Sequence, residues 1–227
     1  MKPRYTVLLP FLGVLALGLA SCALEMDLSG KPALYVDEWV NRPFMPEIYV
    51  RPENTPLQPQ RAVFLPFRVR QDVDNAGFIG VELSRVFHQT WLKDRVFDTL
   101  AFAEDRVWSG PEEALEYVRR TGADLVVGGE ITYLMFGGSA GETSVSLRLS
   151  VYDAATGDLI WSMAHAGQMR AGLTGDYILL DKKSRLPAEP VQAVIQALAR
   201  DMGKPVRRWN FGLDKKRNTP AGPSPLG

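Results

Sequence analysis

Residues 145 to 152, VSLRLSVY, alternate without a break: Val145, Leu147, Leu149 and Val151 on one side, Ser146, Arg148, Ser150 and Tyr152 on the other. Successive side chains of a strand point to opposite faces, so this segment buries one set and wets the other. AATGD (154–158) then supplies a glycine turn of hairpin length, and LIWSMAHAG (159–167) returns. Upstream, ADLVVGGEITYLMF (123–136) is a nearly continuous apolar run, as expected of a strand buried on both faces. Gly128 and Gly129 within it read as a close backbone approach or a bulge. A chain carrying these segments is committed to a sheet with one well-defined core face.

The rest of residues 61–203 supplies the other layers. RAVFLPF (61–67) is a short apolar strand stopped by Pro66, and RVRQDVDNAG (68–77) is a polar loop. A helix is expected from Ala76 to Arg95, with Ile79, Leu83, Val86, Phe87 and Trp91 gathered on one face at three- and four-residue steps. VFDTLAF (96–102) reads as a strand. Ser109 and Glu112 have capping-box spacing and open a second helix with Ala114, Leu115 and Val118 inward, ended by Gly122. A last helix, Ala188 to Met202, carries Val191, Val194, Ile195 and Leu198 on one face. The expected fold is α/β, an α+β mixed sheet in a single domain, in the order β-α-β-α-β-β-β-α with hairpin strands toward the C-terminus.

The flanks have a different character. Residues 22–60 hold prolines at 32, 43, 46, 52, 56 and 59, a density that denies helix and central strand and favours extended chain. Trp39, Phe44, Ile48 and Tyr49 are too apolar for a purely solvated linker, so part of this arm is expected to lie on the domain or on a partner. Residues 204–227 contain six basic residues and one acid, Asp214, and finish in NTPAGPSPLG, the composition of a disordered tail. That basic end is either solvated or in contact with anionic lipid or cell-wall polymer.

The N-terminus reads as a targeting segment over residues 1–21. Lys2 and Arg4 form a basic start, and Val7 to Ala20 carries no charge. The run is shorter than the ~20 residues a membrane-spanning helix needs and has the length of a signal-peptide core. It ends in Leu19-Ala20-Ser21-Cys22, which resembles the bacterial lipobox, and Cys22 is the chain's sole cysteine. The resemblance implies signal-peptidase recognition of Leu19, Ala20 and Ser21, and acylation (palmitate and related chains) of Cys22 as the mature N-terminus. Two or three acyl chains hold a protein on a membrane far more firmly than one. With Ala23 and Leu24 after the cysteine, in place of an inner-membrane-retaining aspartate, the resemblance implies the outer membrane and its periplasmic face. Loss of Lys2 and Arg4 with the leader leaves 24 basic and 26 acidic residues. The five tryptophans have no basic interleaving of the nucleic-acid kind, so nucleic acid is not an expected partner.

The segments AVFLPF, TGADLVVGGEI and SLRLSVYDAATGDLIWS together resemble a core shared by three bacterial groups: the TolB amino-terminal domain, the lipoprotein activators of penicillin-binding proteins, and the curli-secretion lipoproteins. The resemblance covers residues 61 to 170 and the lipobox. Only YLMFGGSAGETS separates the third and fourth strands, too little for pore-forming hairpins, so a channel is not expected.

Catalytic chemistry finds little footing. His88 lies one step off the first helix's apolar face, His165 lies on the last strand in register with Trp161 and Met163, and neither has a second ligand at metal spacing. GGSAG (137–141) falls between two strands, where a nucleophile elbow needs a strand-to-helix turn. No phosphate-binding glycine motif precedes a helix. Asp72, Asp74 and Asn75 lack calcium-loop spacing and read as a helix start with Asp74 or Asn75 as N-cap. The expectation is a lipoprotein without enzyme activity, cofactor or metal. It would act as an adaptor or regulator that binds another cell-envelope protein; alternatively, it is an oligomeric accessory subunit of an envelope secretion or appendage complex.

Overall fold

The computed structural model describes residues 33–37, 39–137, 141–170, 175–176 and 181–213. In chain order the elements are β1 (Ala33–Asp37), β2 (Glu47–Val50), β3 (Arg61–Phe64), β4 (Arg68–Val69), α1 (Ala76–Lys93), β5 (Thr99–Phe102), α2 (Pro111–Arg119), β6 (Leu125–Met135), β7 (Thr143–Asp153), β8 (Leu159–Met169), β9 (Gly175–Asp176), β10 (Asp181–Arg185) and α3 (Pro190–Asn210). Among them no helix is long and apolar enough to cross a membrane. Two units separate. In the smaller, β1 runs parallel to β10, and β9 pairs antiparallel on its other side.

The larger unit is built on a mixed sheet in the order β2-β8-β7-β6-β3-β5, with the short β4 also beside β6. β3 pairs in parallel with both β5 and β6, whereas β6, β7, β8 and β2 follow one another antiparallel. The path from β3 to β5 moves one way across the sheet, and the path from β5 to β6 moves back past β3. Right-handed crossovers in opposite directions place their helices on opposite faces. Accordingly Leu83, Phe87 and Trp91 of α1 join the main core with Ala62 and Phe64, while Ala114 and Val118 of α2 pack on the other face with Val63 and Val126. In the larger unit the expected element order recurs, with β2 added from the arm and the short β4 inside the stretch read as a polar loop; β1, β9 and β10 of the smaller unit were not expected.

α3 covers the β7–β8 hairpin on the same face as α1. Val194, Ile195, Leu198 and Met202 meet the inward residues Val145, Leu147, Leu149, Val151, Trp161 and Met163, all in one core. The alternation of the hairpin thus lands as expected. Trp91 crosses beneath α3 and donates its Nε1–H to the Ala199 carbonyl at 2.8 Å. β6 is buried on both faces only as far as Gly129; beyond it Thr132 and Tyr133 are exposed, and a bulge falls between Ile131 and Tyr133. Gly128 marks a close approach, because a Cβ there would lie 2.0 Å from Trp108 Cε3.

Two local readings are corrected. α2 does not use the Ser109–Glu112 capping box: Pro111 takes the first helical position after Gly110, and Ser109 Oγ donates to Glu113 Oε2 at 2.6 Å. Proline is preorganised for that position and needs no cap for its absent N–H. α3 does not stop at Met202 but runs to Asn210 through an interior Pro205, so Lys204, Arg207 and Arg208 of the expected basic end are helix residues. Burial of Val206, Trp209 and Asn210 supports those last turns. Asn75 is the N-cap of α1, in a left-handed conformation without a side-chain capping bond. Gly122, expected to end α2, does take positive φ, +70°, just past its last turn.

Candidate functional site

Residues 39–60 of the proline-rich arm lie on the larger unit, and four contacts tie them there. Asn41 and Gln168 exchange backbone hydrogen bonds, each at 2.8 Å. β2 adds to the sheet by pairing Glu47 with Ala164, Ile48 with Met163 and Val50 with Ser162. Trp209 donates its Nε1–H to the Asn54 carbonyl at 2.7 Å, and Gln60 N–H donates to Asn210 Oδ1 at 2.8 Å. The pairing shift between Ile48 and Val50 leaves Tyr49 as the extra residue of a bulge, a device common on edge strands.

The strongest polar tie is at Arg42. Its Nε–H donates to Asp201 Oδ2 at 2.5 Å, and Lys204 Nζ donates to Oδ1 at 2.8 Å. Asp201 is 3% exposed and projects from the apolar face of α3, where an isolated carboxylate would be costly. Burial would raise its carboxyl, but Arg42 and Lys204 outweigh burial and hold it below the usual carboxylate range. His165 Nε2 stands 3.5 Å from Oδ2. Burial pushes the His165 imidazole below its ordinary value, against the pull of Asp201.

A histidine beside a carboxylate raises the question of an acid–base pair. Asp201 already serves two cations, and the His165 side chain is 1% exposed. His88 is buried as well, with its Nε2 3.0 Å from the Leu100 carbonyl. Both histidines are interior residues. Among the described residues no group of His, Cys, Asp and Glu is arranged to hold a metal.

The arm presents large apolar side chains outward. Trp39 is 84% exposed, Phe44 90%, Met45 63% and Tyr49 54%. Beside them a cleft of about 610 Å3 runs between Asn41–Pro43 and the sheet face made by Tyr133, Ser144, Ser146 and Ala166. Among the described residues that line the cleft none belongs to a helix, and Ser144, Ser146 and Ala166 make its floor small and largely polar. Cys22, Leu19, Ala20 and Ser21 lie outside the described residues. Reading the sequence missed the Arg42–Asp201 pair, although Asp201 falls seven residues after Val194 and three after Leu198, a spacing that puts it on the buried face.

No protein-family model matches the chain, and no curated protein matches it in sequence. Among solved structures it is similar to the PelC dodecamer from Paraburkholderia phytofirmans, at 16% identity over 75% of this chain and 97% of that one, with a TM-score of 0.46. It is also similar to the lipoprotein GNA1162 from Neisseria meningitidis, at 15% identity over 53% of this chain and 90% of that one, TM-score 0.38. A third is the LpoB C-terminal domain from Salmonella enterica, at 12% identity over 50% of this chain and 87% of that one, TM-score 0.30. At these identities and TM-scores the likenesses carry no partner, ligand or assembly over to this chain.

Proposed function

We propose that the protein is an outer-membrane lipoprotein of the periplasmic face, acylated at Cys22, that acts as a non-catalytic adaptor for another cell-envelope protein. The arm carries this reading. Residues 39–60 are laced to the fold by backbone pairing and a buried ion pair, yet they hold Trp39, Phe44, Met45 and Tyr49 in water. A fixed segment that displays large apolar groups behaves as an interaction surface, since a monomer gains nothing by exposing them.

The test replaces Trp39, Phe44 and Tyr49 together by serine in the full chain and follows photo-crosslinking from position 45 in the native envelope. A specific crosslinked product is expected from the parent and lost in the variant, with membrane attachment and thermal unfolding unchanged. A crosslink that persists removes recognition from the arm. Cys22→Ser is expected to leave the precursor uncleaved, and a normally matured, membrane-bound product would refute the lipid anchor. Sedimentation of the chain from residue 23 onward, made without leader or lipid, is expected to show a monomer; a large closed oligomer would favour the accessory-subunit alternative instead.

A further inference from the structure

A second cleft, of about 720 Å3, lies on the inner side of the arm, where residues 45–55 cross the start of β8 and the last turns of α3. Its volume is that of an ordinary ligand pocket, within roughly 300–1,000 Å3. Met45, Ile48, Pro52 and Pro205 give it apolar walls, with Trp161 and Trp209 at the base. Three charged residues line it: Arg51, Arg208 and Glu53. Both arginines are exposed, and neither has an ion-pair partner among the described residues.

The decisive feature is a pair of orphans. Thr55 Oγ1 and Trp161 Nε1 are the buried side-chain polar atoms that lack a hydrogen-bond partner among the described residues, and both residues line this cleft. Trp161 is 4% exposed. An indole N–H can only donate and so calls for an acceptor, and a threonine hydroxyl can donate to one as well. Trp209, the neighbouring indole at 6.1 Å between ring centroids, has its own N–H satisfied by Asn54. A buried donor left unpaired on a residue that lines a cleft points to an acceptor that a group entering the cleft can supply.

We propose that this cleft binds the C-terminal end of an apolar peptide, with the terminal carboxylate on Arg51 and Arg208 and peptide carbonyls meeting Trp161 Nε1 and Thr55 Oγ1. The charge selects the ligand. Two guanidinium groups against the one carboxylate of Glu53 leave a single net positive charge, which a monoanion neutralises and a phosphate dianion overshoots. Planar guanidinium groups suit a carboxylate, which they grip through two parallel bonds. The apolar walls take the last side chain, and the two orphan donors need acceptors beyond the carboxylate, which a peptide has and a simple acid lacks. This site is independent of the adaptor reading, sharing only Met45 with the arm's outward residues.

The experiment uses the full chain in detergent, labelled with 5-fluorotryptophan, its Trp161 resonance assigned from Trp161→Phe. The probes are acetyl-Ala-Ala-Leu with a free carboxylate, the same peptide as its C-terminal amide, and hexanoate. The free-acid peptide is expected to shift the Trp161 resonance saturably, with the amide about tenfold weaker or worse. Arg51→Gln and Arg208→Gln should each weaken binding about tenfold, whereas Arg106→Gln, far from the cleft, should not. Absence of a saturable shift with millimolar peptide overturns the site. Equal binding of the amide overturns the carboxylate, and equal binding of hexanoate overturns the peptide. None of these results alters the crosslinking test of the arm's outer face.

Discussion

Replacing Arg42 by methionine keeps the apolar stem of the side chain and removes the cation that ties the arm to α3. Asp201 would then keep Lys204 on one oxygen and only His165, at 3.5 Å, on the other. A hydrogen bond to a buried charged group contributes about 1.5–3 kcal/mol. Asp201 is 3% exposed, so its lost bond is poorly replaced by water, and the loss belongs in that range instead of the near-zero range of surface pairs. The energy concerns local opening of the arm, not global unfolding, because the core beneath is untouched. The assay is native-state hydrogen exchange at the amides of Asn41 and Gln168, which bond each other and open when the arm lifts. Their protection should fall about 10- to 150-fold in Arg42→Met, the equivalent of that free energy. Lys204→Met removes a cation whose side chain is 63% exposed and should change the same amides much less. Loss of protection by less than about threefold in Arg42→Met, or an equal loss in both variants, would refute the argument that the buried carboxylate latches the arm.

Gly128→Ala should destabilise by about 1–3 kcal/mol in urea unfolding, because its Cβ must displace the Trp108 ring; Trp108→Leu in the same chain should recover part of that loss, and additive losses would refute the clash. Trp91→Phe abandons the Ala199 carbonyl, whereas Trp161→Phe abandons nothing, so the first should cost more by about 1–3 kcal/mol in the same measurement. Acidification should weaken the fold in two stages. His88 and His165 are held below their ordinary values, so the unfolded chain takes up protons first, and stability should begin to fall as pH drops below about 6.5. Asp201 is also held low, so its contribution is whole above about pH 5 and is lost as pH falls through roughly 4 and below. A urea midpoint flat from pH 7 to 3 would contradict both stages.

The β7–β8 hairpin was legible because its order is local: one alternating strand, a glycine turn, and a returning strand with Trp161 and Met163 in register. The β3-α1-β5-α2-β6 path was legible from the change of period between apolar runs and helical faces. The end of α3 was not, because Gly203, Lys204 and Pro205 look like a stop when read along the chain. Proline cannot supply the N–H that the Asp201 carbonyl would receive, and only burial of Val206 and Trp209 carries the helix past it. The arm was half legible. Its aromatic content announced contact with something, but Arg42 and Asp201 are 159 residues apart, and no local pattern joins them. The inner cleft was invisible for the same reason: Arg51, Thr55, Trp161 and Arg208 meet only through the docking of β2.

On the proposed acylation of Cys22, docking of residues 39–60 also bears on reach. As free extended chain these residues have a contour of about 70 Å at ~3.1 Å per residue. Fastened to the fold, they are withheld from any tether between Cys22 and the domain. The Arg42–Asp201 pair would therefore act on altitude as well as on stability: opening it would lengthen that tether by as much as this contour.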